Sequence, residues 1–227
     1  MLIIFDLDDT LIKTTESIAH YKLLKSFENF EIDDPKFQDF QMLKRLSLGS
    51  FGSKEALIEY LEVFKYPYSI QKKILNFFHN DKSLPDSIEL LPGAIELIEK
   101  LLLEHDLVVV TRGKKEIQIE KIEKVGLSKQ YFKEIIVVES GTKFSSYKNI
   151  KDNYKVAESE ILVVGDRVEW DLVPAKKLYF HTVHMKSGRG VWEDKTKDEM
   201  IDYQICSLNQ LSDIIEEIKL KNVLRKL

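Results

Sequence analysis

The amino-acid sequence predicts an α/β protein: a three-layer, Rossmann-like core around a mainly parallel sheet, with an all-α cap domain inserted into it. Three observations lead there. Short apolar runs, too brief for helices, recur along the chain and end in polar residues. Helical patterns separate the later runs, and the interval between the first run and the second holds helical patterns alone.

The runs cover residues 2–5, 107–110, 135–138 and 161–164, with a weaker one at 180–184. Unbroken β-branched stretches of this length suit strands buried on both faces, as in a parallel sheet. Pro92 and Gly93 open a helical pattern carrying Ile95, Ile98 and Leu102, with proline at a tolerated first-turn position. Another pattern begins near Lys115 and stops at Gly126, a favourable C-terminal residue. A third follows Lys143 through Tyr147, Ile150 and Tyr154. Alternation of this kind builds a doubly wound sheet.

Residues 14–86 break the rhythm, being longer than a crossover helix requires. Ile18, Tyr21, Leu24 and Phe27 repeat at three; Ala56, Leu57, Tyr60, Leu61 and Phe64 form a broad apolar stripe; Ile70, Ile74, Phe77 and Phe78 form another. Helices with their own apolar faces need their own partners, so 14–86 reads as a helical domain inserted after the first strand. Residues 1–13 and 87–227 then form the core. An insertion there leaves from the carboxyl edge of the sheet, where open α/β folds bind ligands, so a lid is expected.

Composition narrows the function. The chain has 227 residues, 44% hydrophobic and 32% charged, with a net charge of -4. That balance offers no basic face for nucleic acid. The single Cys206 cannot form an internal disulfide, which suits a reducing compartment. The apolar N-terminus ends at Asp6, too early for a signal sequence, and no stretch approaches a membrane span. A cytoplasmic protein without membrane, nucleic-acid or protein partner is expected.

The chemistry gathers at strand ends. The first strand delivers Asp6, and Asp8 points to the same side two residues later. Two carboxylates this close repel unless a cation lies between them or one is protonated, and Mg²⁺ is a suitable hard cation; the alternative is a solvated Asp-rich turn or a helix N-cap. The second strand ends in Thr111, Arg112 and Gly113, where a hydroxyl and free N–H groups can cradle a phosphoryl oxygen, or Thr111 can simply cap a helix. The fourth ends in Gly165 and Asp166, with Asp171 following either as a metal-site residue or as an N-cap. Lys143, after the third strand, can neutralise a nucleophile and a transferring phosphoryl group, with Lys148 as its competitor.

Taken together, Asp6-x-Asp8-x-Thr10, Thr111, Lys143 and Gly165-Asp166-x-x-x-x-Asp171 resemble the four ordered motifs of the haloacid dehalogenase (HAD) superfamily. The insertion after the first motif resembles that family's helical C1 cap. The resemblance implies that Asp6 attacks phosphorus, while Asp8 protonates the leaving oxygen and then activates water. It implies Mg²⁺ held by the Asp6 carboxylate, the Asp8 backbone carbonyl and Asp166, with Asp171 ordering a metal-bound water or Asp166 itself. Thr111 and Lys143 would bind phosphoryl oxygens. A carboxylate at Asp8 implies phosphate ester or anhydride chemistry, since members that cleave carbon–halogen or carbon–phosphorus bonds differ there.

Weaker features complete the reading. Arg45, Arg112 and Arg167 can reach an anionic substrate, though surface ion pairs are the default for arginine. Phe51, between glycines, can select substrate or sit in a plain helix–helix turn. His181 and His184 fall on opposite faces of a strand and are not expected to ligate. Residues 187–190 read as a loop near the same edge, either anion-binding or a plain turn, and the basic tail 219–227 as the end of a helix rather than a membrane anchor. The expected function is a Mg²⁺-dependent phosphatase of a small phosphorylated metabolite, working through an aspartyl phosphate. The alternatives are a phosphomutase or phosphotransferase with the same aspartate pair, and a phospho-Asp signalling or protein-binding module.

Overall fold

The computed structural model describes residues 1–28, 40–49, 52–127, 129–193 and 199–225. A six-stranded parallel sheet runs in the order β3-β2-β1-β4-β5-β6. Its strands are β1 (Leu2–Phe5), β2 (Asp106–Arg112), β3 (Glu134–Val138), β4 (Ile161–Gly165), β5 (His181–Met185) and β6 (Tyr203–Ile205). The sheet is parallel throughout the described residues rather than mainly so.

Strand β1 is buried along its whole length because it lies centrally and carries apolar side chains on both faces. Leu2 and Ile4 pack with Val108, Val110, Ile161 and Val163. Helices α7 (Phe144–Tyr154) and α8 (Val173–Lys176) cover that side with Tyr147, Ile150 and Ala175. Ile3 and Phe5 point the other way and are equally buried. Each such side chain stabilises the fold by about 1.5–3 kcal/mol relative to exposure. Helices α5 (Ala94–Leu102) and α9 (Leu211–Leu224) are tied together by Lys100 Nζ donating to Ser212 Oγ at 3.1 Å. The buried face of α5 is Ala94, Leu97, Ile98 and Leu101, with Gly93 in the left-handed region at its start (φ 79°). Ile95 and Leu102 are only half-buried.

The chain divides into two compact units, residues 1–12 with 89–227 and residues 13–88. The second comprises a wide helical turn at Thr15–Ala19, then α1 (His20–Glu28), α2 (Phe40–Gly49), α3 (Ser53–Val63) and α4 (Tyr68–Asn80). Its own core gathers Leu23, Phe27, Leu57, Tyr60 and Ile74. Phe27 and Tyr60 meet edge to face at 5.6 Å. In α1 the buried positions are Leu23, Ser26 and Phe27, spanning one helical turn, while Tyr21 and Leu24 are half-buried. Among the described residues no helix is long and apolar enough to cross a membrane.

Candidate active site

Register alone brings the acidic residues together. Phe5 is level with Val164, and the Asp6 N–H donates to the Val164 carbonyl at 2.9 Å, so Asp6 leaves β1 beside Gly165. Asp166 follows one residue on. Between β1 and β4 the strand order reverses, which opens a crevice at the carboxyl ends. After Asp6 the chain folds back: Leu11 and Ile12 N–H both donate to the Leu7 carbonyl, at 2.9 and 3.1 Å. Asp9 adopts φ 53° in this turn, a conformation aspartate tolerates better than most residues.

On the β4 side the chain enters a π-type turn at Val168–Leu172 that carries Asp171 back toward the strand. Gly165 is required there, because a Cβ at that position would sit 2.5 Å from the Asp171 Cβ. Asp171 Oδ2 accepts the Arg167 N–H at 3.0 Å, while Oδ1 pairs with the Lys143 ammonium at 2.6 Å. Asp171 therefore braces its own turn and joins the cluster.

Lys143 stands just before α7 and is 1% exposed. Its Nζ also donates to Asp6 Oδ1 at 2.5 Å. Lys148 is exposed, so Lys143 is the lysine against Asp6. Ligand oxygens of Asp6, Asp166 and Asp171 lie within 4.8 Å of one another, and all three residues are buried. Burial pushes the Asp6 carboxyl up to about 7, opposed by Lys143 and reinforced by Asp171 and Asp8. Burial also pushes Asp166 well above the usual range, helped by Asp9, Asp171 and Asp6. Burial works against the Lys143 charge, yet Asp171 and Asp6 hold the ammonium well above its ordinary value. One ammonium among three buried carboxylates leaves an excess of negative charge. An all-oxygen donor set of this kind fits a hard divalent cation such as Mg²⁺.

The Asp8 carboxylate lies apart from these three oxygens. Lys121 Nζ donates to its Oδ1 at 2.7 Å, and Gln118 Nε2 to its Oδ2 at 2.9 Å. The same amide donates to Thr111 Oγ1 at 2.5 Å. Thr111 is fully buried at the end of β2, next to Arg112. The Arg112 guanidinium lies 4.0 Å from the centre of the Trp170 ring. Because β2 and β4 flank β1, this stack bridges the end of the strand that carries Asp6.

The remaining candidates separate. Arg167 pairs with Glu193. Arg45 is exposed on α2, and Phe51 lies outside the described residues. His184 Nε2 sits 2.9 Å from the Asp166 carbonyl, and neither it nor His181 belongs to the acidic cluster. Gln118, Lys121 and Trp170 were not legible as site residues, because glutamine, lysine and tryptophan on helix-like segments carry no motif.

Residues 3–185 match the model of the haloacid dehalogenase-like hydrolase family. The chain is 30% identical to a glyceraldehyde 3-phosphate phosphatase of Methanocaldococcus jannaschii, over 96% of this chain and 97% of that protein. It is 26% identical to the glyceraldehyde 3-phosphate phosphatase of Pyrococcus furiosus, over 95% and 92%. A solved HAD-hydrolase, YfnB of Bacillus subtilis bound to magnesium, shares the fold with a TM-score of 0.66 at 22% identity, covering 94% of this chain and 97% of that one. The chain belongs to the haloacid dehalogenase-like hydrolases, as its motifs predict. Within them it is a phosphoric monoester hydrolase, in keeping with relatives that match it over nearly their full length.

Proposed function

We propose that the protein is a Mg²⁺-dependent phosphatase of a small phosphorylated metabolite, working through a phosphoryl group carried on Asp6. The observation that supports this most is the convergence of Asp6, Asp166 and Asp171, with Lys143 bridging Asp6 and Asp171. Asp6 attacks phosphorus and the bond to the leaving oxygen breaks, giving an aspartyl phosphate while Asp8 gives its proton to the departing alkoxide. Asp8 then takes a proton from water, whose oxygen attacks the phosphorus and returns Asp6 as a carboxylate with release of inorganic phosphate. Thr111 and Lys143 bind phosphoryl oxygens, and Lys143 also balances the charge of Asp6 and Asp171. Asp6 and Asp166 would hold Mg²⁺, with the Asp8 carbonyl and Asp171 in support, and the ion supplies charge neutralisation during phosphoryl transfer. The inserted helical unit acts as the cap that admits substrate. A cytoplasmic setting suits a chain whose one cysteine, Cys206, is free.

The names of the two relatives make glyceraldehyde 3-phosphate the first substrate to test. The experiment measures phosphate release from it and from a panel of sugar phosphates, nucleotides and phosphoglycolate, with Mg²⁺ and then with EDTA. Turnover that EDTA abolishes is expected, and no release from any compound would overturn the proposal. The metal has a second readout. At 100 times its dissociation constant Mg²⁺ should stabilise the fold by about 2.7 kcal/mol, raising the unfolding temperature by several degrees. An unchanged melt across millimolar Mg²⁺ would count against the ion site.

Arg112 is poised to read the part of the substrate beyond the phosphoryl group, held upright by Trp170. Arg112→Ala is expected to raise KM about tenfold while kcat changes little, the pattern of lost ground-state binding. An unchanged KM would remove Arg112 from substrate recognition.

A further inference from the structure

We infer that Gln118 and Lys121 are positioning residues that aim the Asp8 carboxylate during the reaction, which rests on the acid–base role of Asp8 proposed above. Both belong to α6 (Lys115–Lys124), three residues apart and so on one helix face. That face is buried, with Gln118 at 2% and Lys121 at 6% exposure beside Ile122, while Ile117 and Ile119 are only half-buried. An ordinary amphipathic helix would bury Ile117 or Ile119 with Ile122 and leave its glutamine and lysine in water. A lysine is seldom buried unless its ammonium is paired, and here the partner is Asp8 Oδ1 at 2.7 Å.

The two contacts divide the work. Lys121 takes one carboxylate oxygen and Gln118 the other, so α6 holds both oxygens of the carboxylate. A carboxylate has about four acceptor sites, so these two bonds do not exhaust its capacity. The Gln118 amide also donates to Thr111 Oγ1 and, at 3.2 Å, to the Arg112 carbonyl. One amide thereby fixes Asp8 relative to the hydroxyl at the end of β2. Gly113 makes room for this, since a Cβ there would stand 3.2 Å from Gln118 Cδ. Were α6 serving only as packing, apolar side chains at both positions would avoid the cost of desolvating an ammonium.

The reaction itself distinguishes positioning from packing. A departing alkoxide needs a proton from Asp8, whereas p-nitrophenolate is stable enough to leave without one. The full-length protein with Mg²⁺ is assayed as Lys121→Met and Gln118→Met, singly and together, on glyceraldehyde 3-phosphate and on p-nitrophenyl phosphate. Asp8→Asn is the comparator. With the alkyl phosphate kcat should fall about 10–100-fold, the cost of misplacing a reacting group by about an ångström. KM, and the first-turnover release of p-nitrophenolate, should stay within about threefold. Equal losses on both substrates, or no loss on either, would overturn the inference. If Asp8→Asn separates the two substrates and the α6 variants do not, only the positioning role fails. If Asp8→Asn does not separate them, the acid–base role of Asp8 fails and the inference falls with it. Should Lys121→Met not fold, Gln118→Met and Lys121→Arg decide the same question, because arginine keeps a donor toward Asp8 and should restore most of the alkyl phosphatase rate.

Discussion

Asp6→Asn should remove turnover and leave the protein folded. Asparagine keeps the size and shape of the side chain at the exit of β1, so the register with Val164 and the close fit around the turn are preserved. What disappears is the oxyanion that attacks phosphorus in the proposed mechanism. Loss of a catalytic nucleophile lowers kcat by about 10⁴-fold or more, and what remains reflects binding and charge stabilisation by the rest of the site. The fold has little to lose, because burial already opposes ionisation of Asp6 and pushes its carboxyl up to about 7. A neutral amide there does not repel Asp171 and Asp8. In EDTA the unfolding temperature of the variant is therefore expected to equal or exceed that of the wild type. Circular dichroism melts beside the phosphate-release assay check both halves. Substantial turnover by a folded variant would show that another group carries the phosphoryl transfer.

That this substitution can be named at all reflects where the sequence was informative. The first and fourth strands are central, so both faces need apolar residues, and Leu2-Ile3-Ile4-Phe5 and Ile161-Leu162-Val163-Val164 stand out as unbroken runs. Each gives way within two residues to a carboxylate, because a parallel sheet holds its polar chemistry at the carboxyl edge. The rest was less legible for particular reasons. Tyr203-Gln204-Ile205 forms β6, the outermost strand of the sheet order, and only Ile205 is buried, a pattern shared with ordinary loops. Of the threefold repeat Ile18, Tyr21, Leu24 and Phe27, the ends are buried, but the middle pair is only half-buried and Leu23, which the repeat passes over, enters the core. The choice between Lys143 and Lys148 needed the position of α7. Lys143 precedes its first turn at the sheet edge, whereas Lys148 lies more than one turn along and faces water.

Gln118 and Lys121 mark a different limit. Hydrophobic periodicity finds elements by assuming that apolar residues face inward, and α6, though it buries Ile122, departs from that assumption at Gln118 and Lys121, where it meets the site. A helix that looks merely polar in sequence carries its most constrained contacts on its polar face. Local rules are expected to fail at functional sites, where chemistry sets the choice of residue. The pairing with Asp8 requires knowing that α6 returns against the first motif, which the order of strands reveals and local pattern does not.

Lys143→Met should damage both activity and stability, and so it complements the Asp6 variant. Methionine fills most of the same volume, which isolates the loss of the ammonium from the opening of a cavity. Removing one partner of a buried ion pair typically costs about 3–5 kcal/mol, because the other partner is left uncompensated. Here Asp6 and Asp171 are both left, each buried and each within 2.6 Å of the lysine in the wild type. In EDTA the core is expected to unfold at clearly lower urea. Mg²⁺ should recover part of the difference, since a divalent cation neutralises the same carboxylates. Turnover with saturating Mg²⁺ should nevertheless fall by about 10²–10³-fold, the loss that follows removal of one preorganised donor from a developing charge. Combining the variant with Asp6→Asn separates the two causes. If the stability loss arises from stranding Asp6, the double variant should be more stable in EDTA than Lys143→Met alone, leaving only Asp171 unpaired. A double variant as unstable as the single one would mean that Asp171, braced against the Arg167 N–H, is the partner that the lysine chiefly supports.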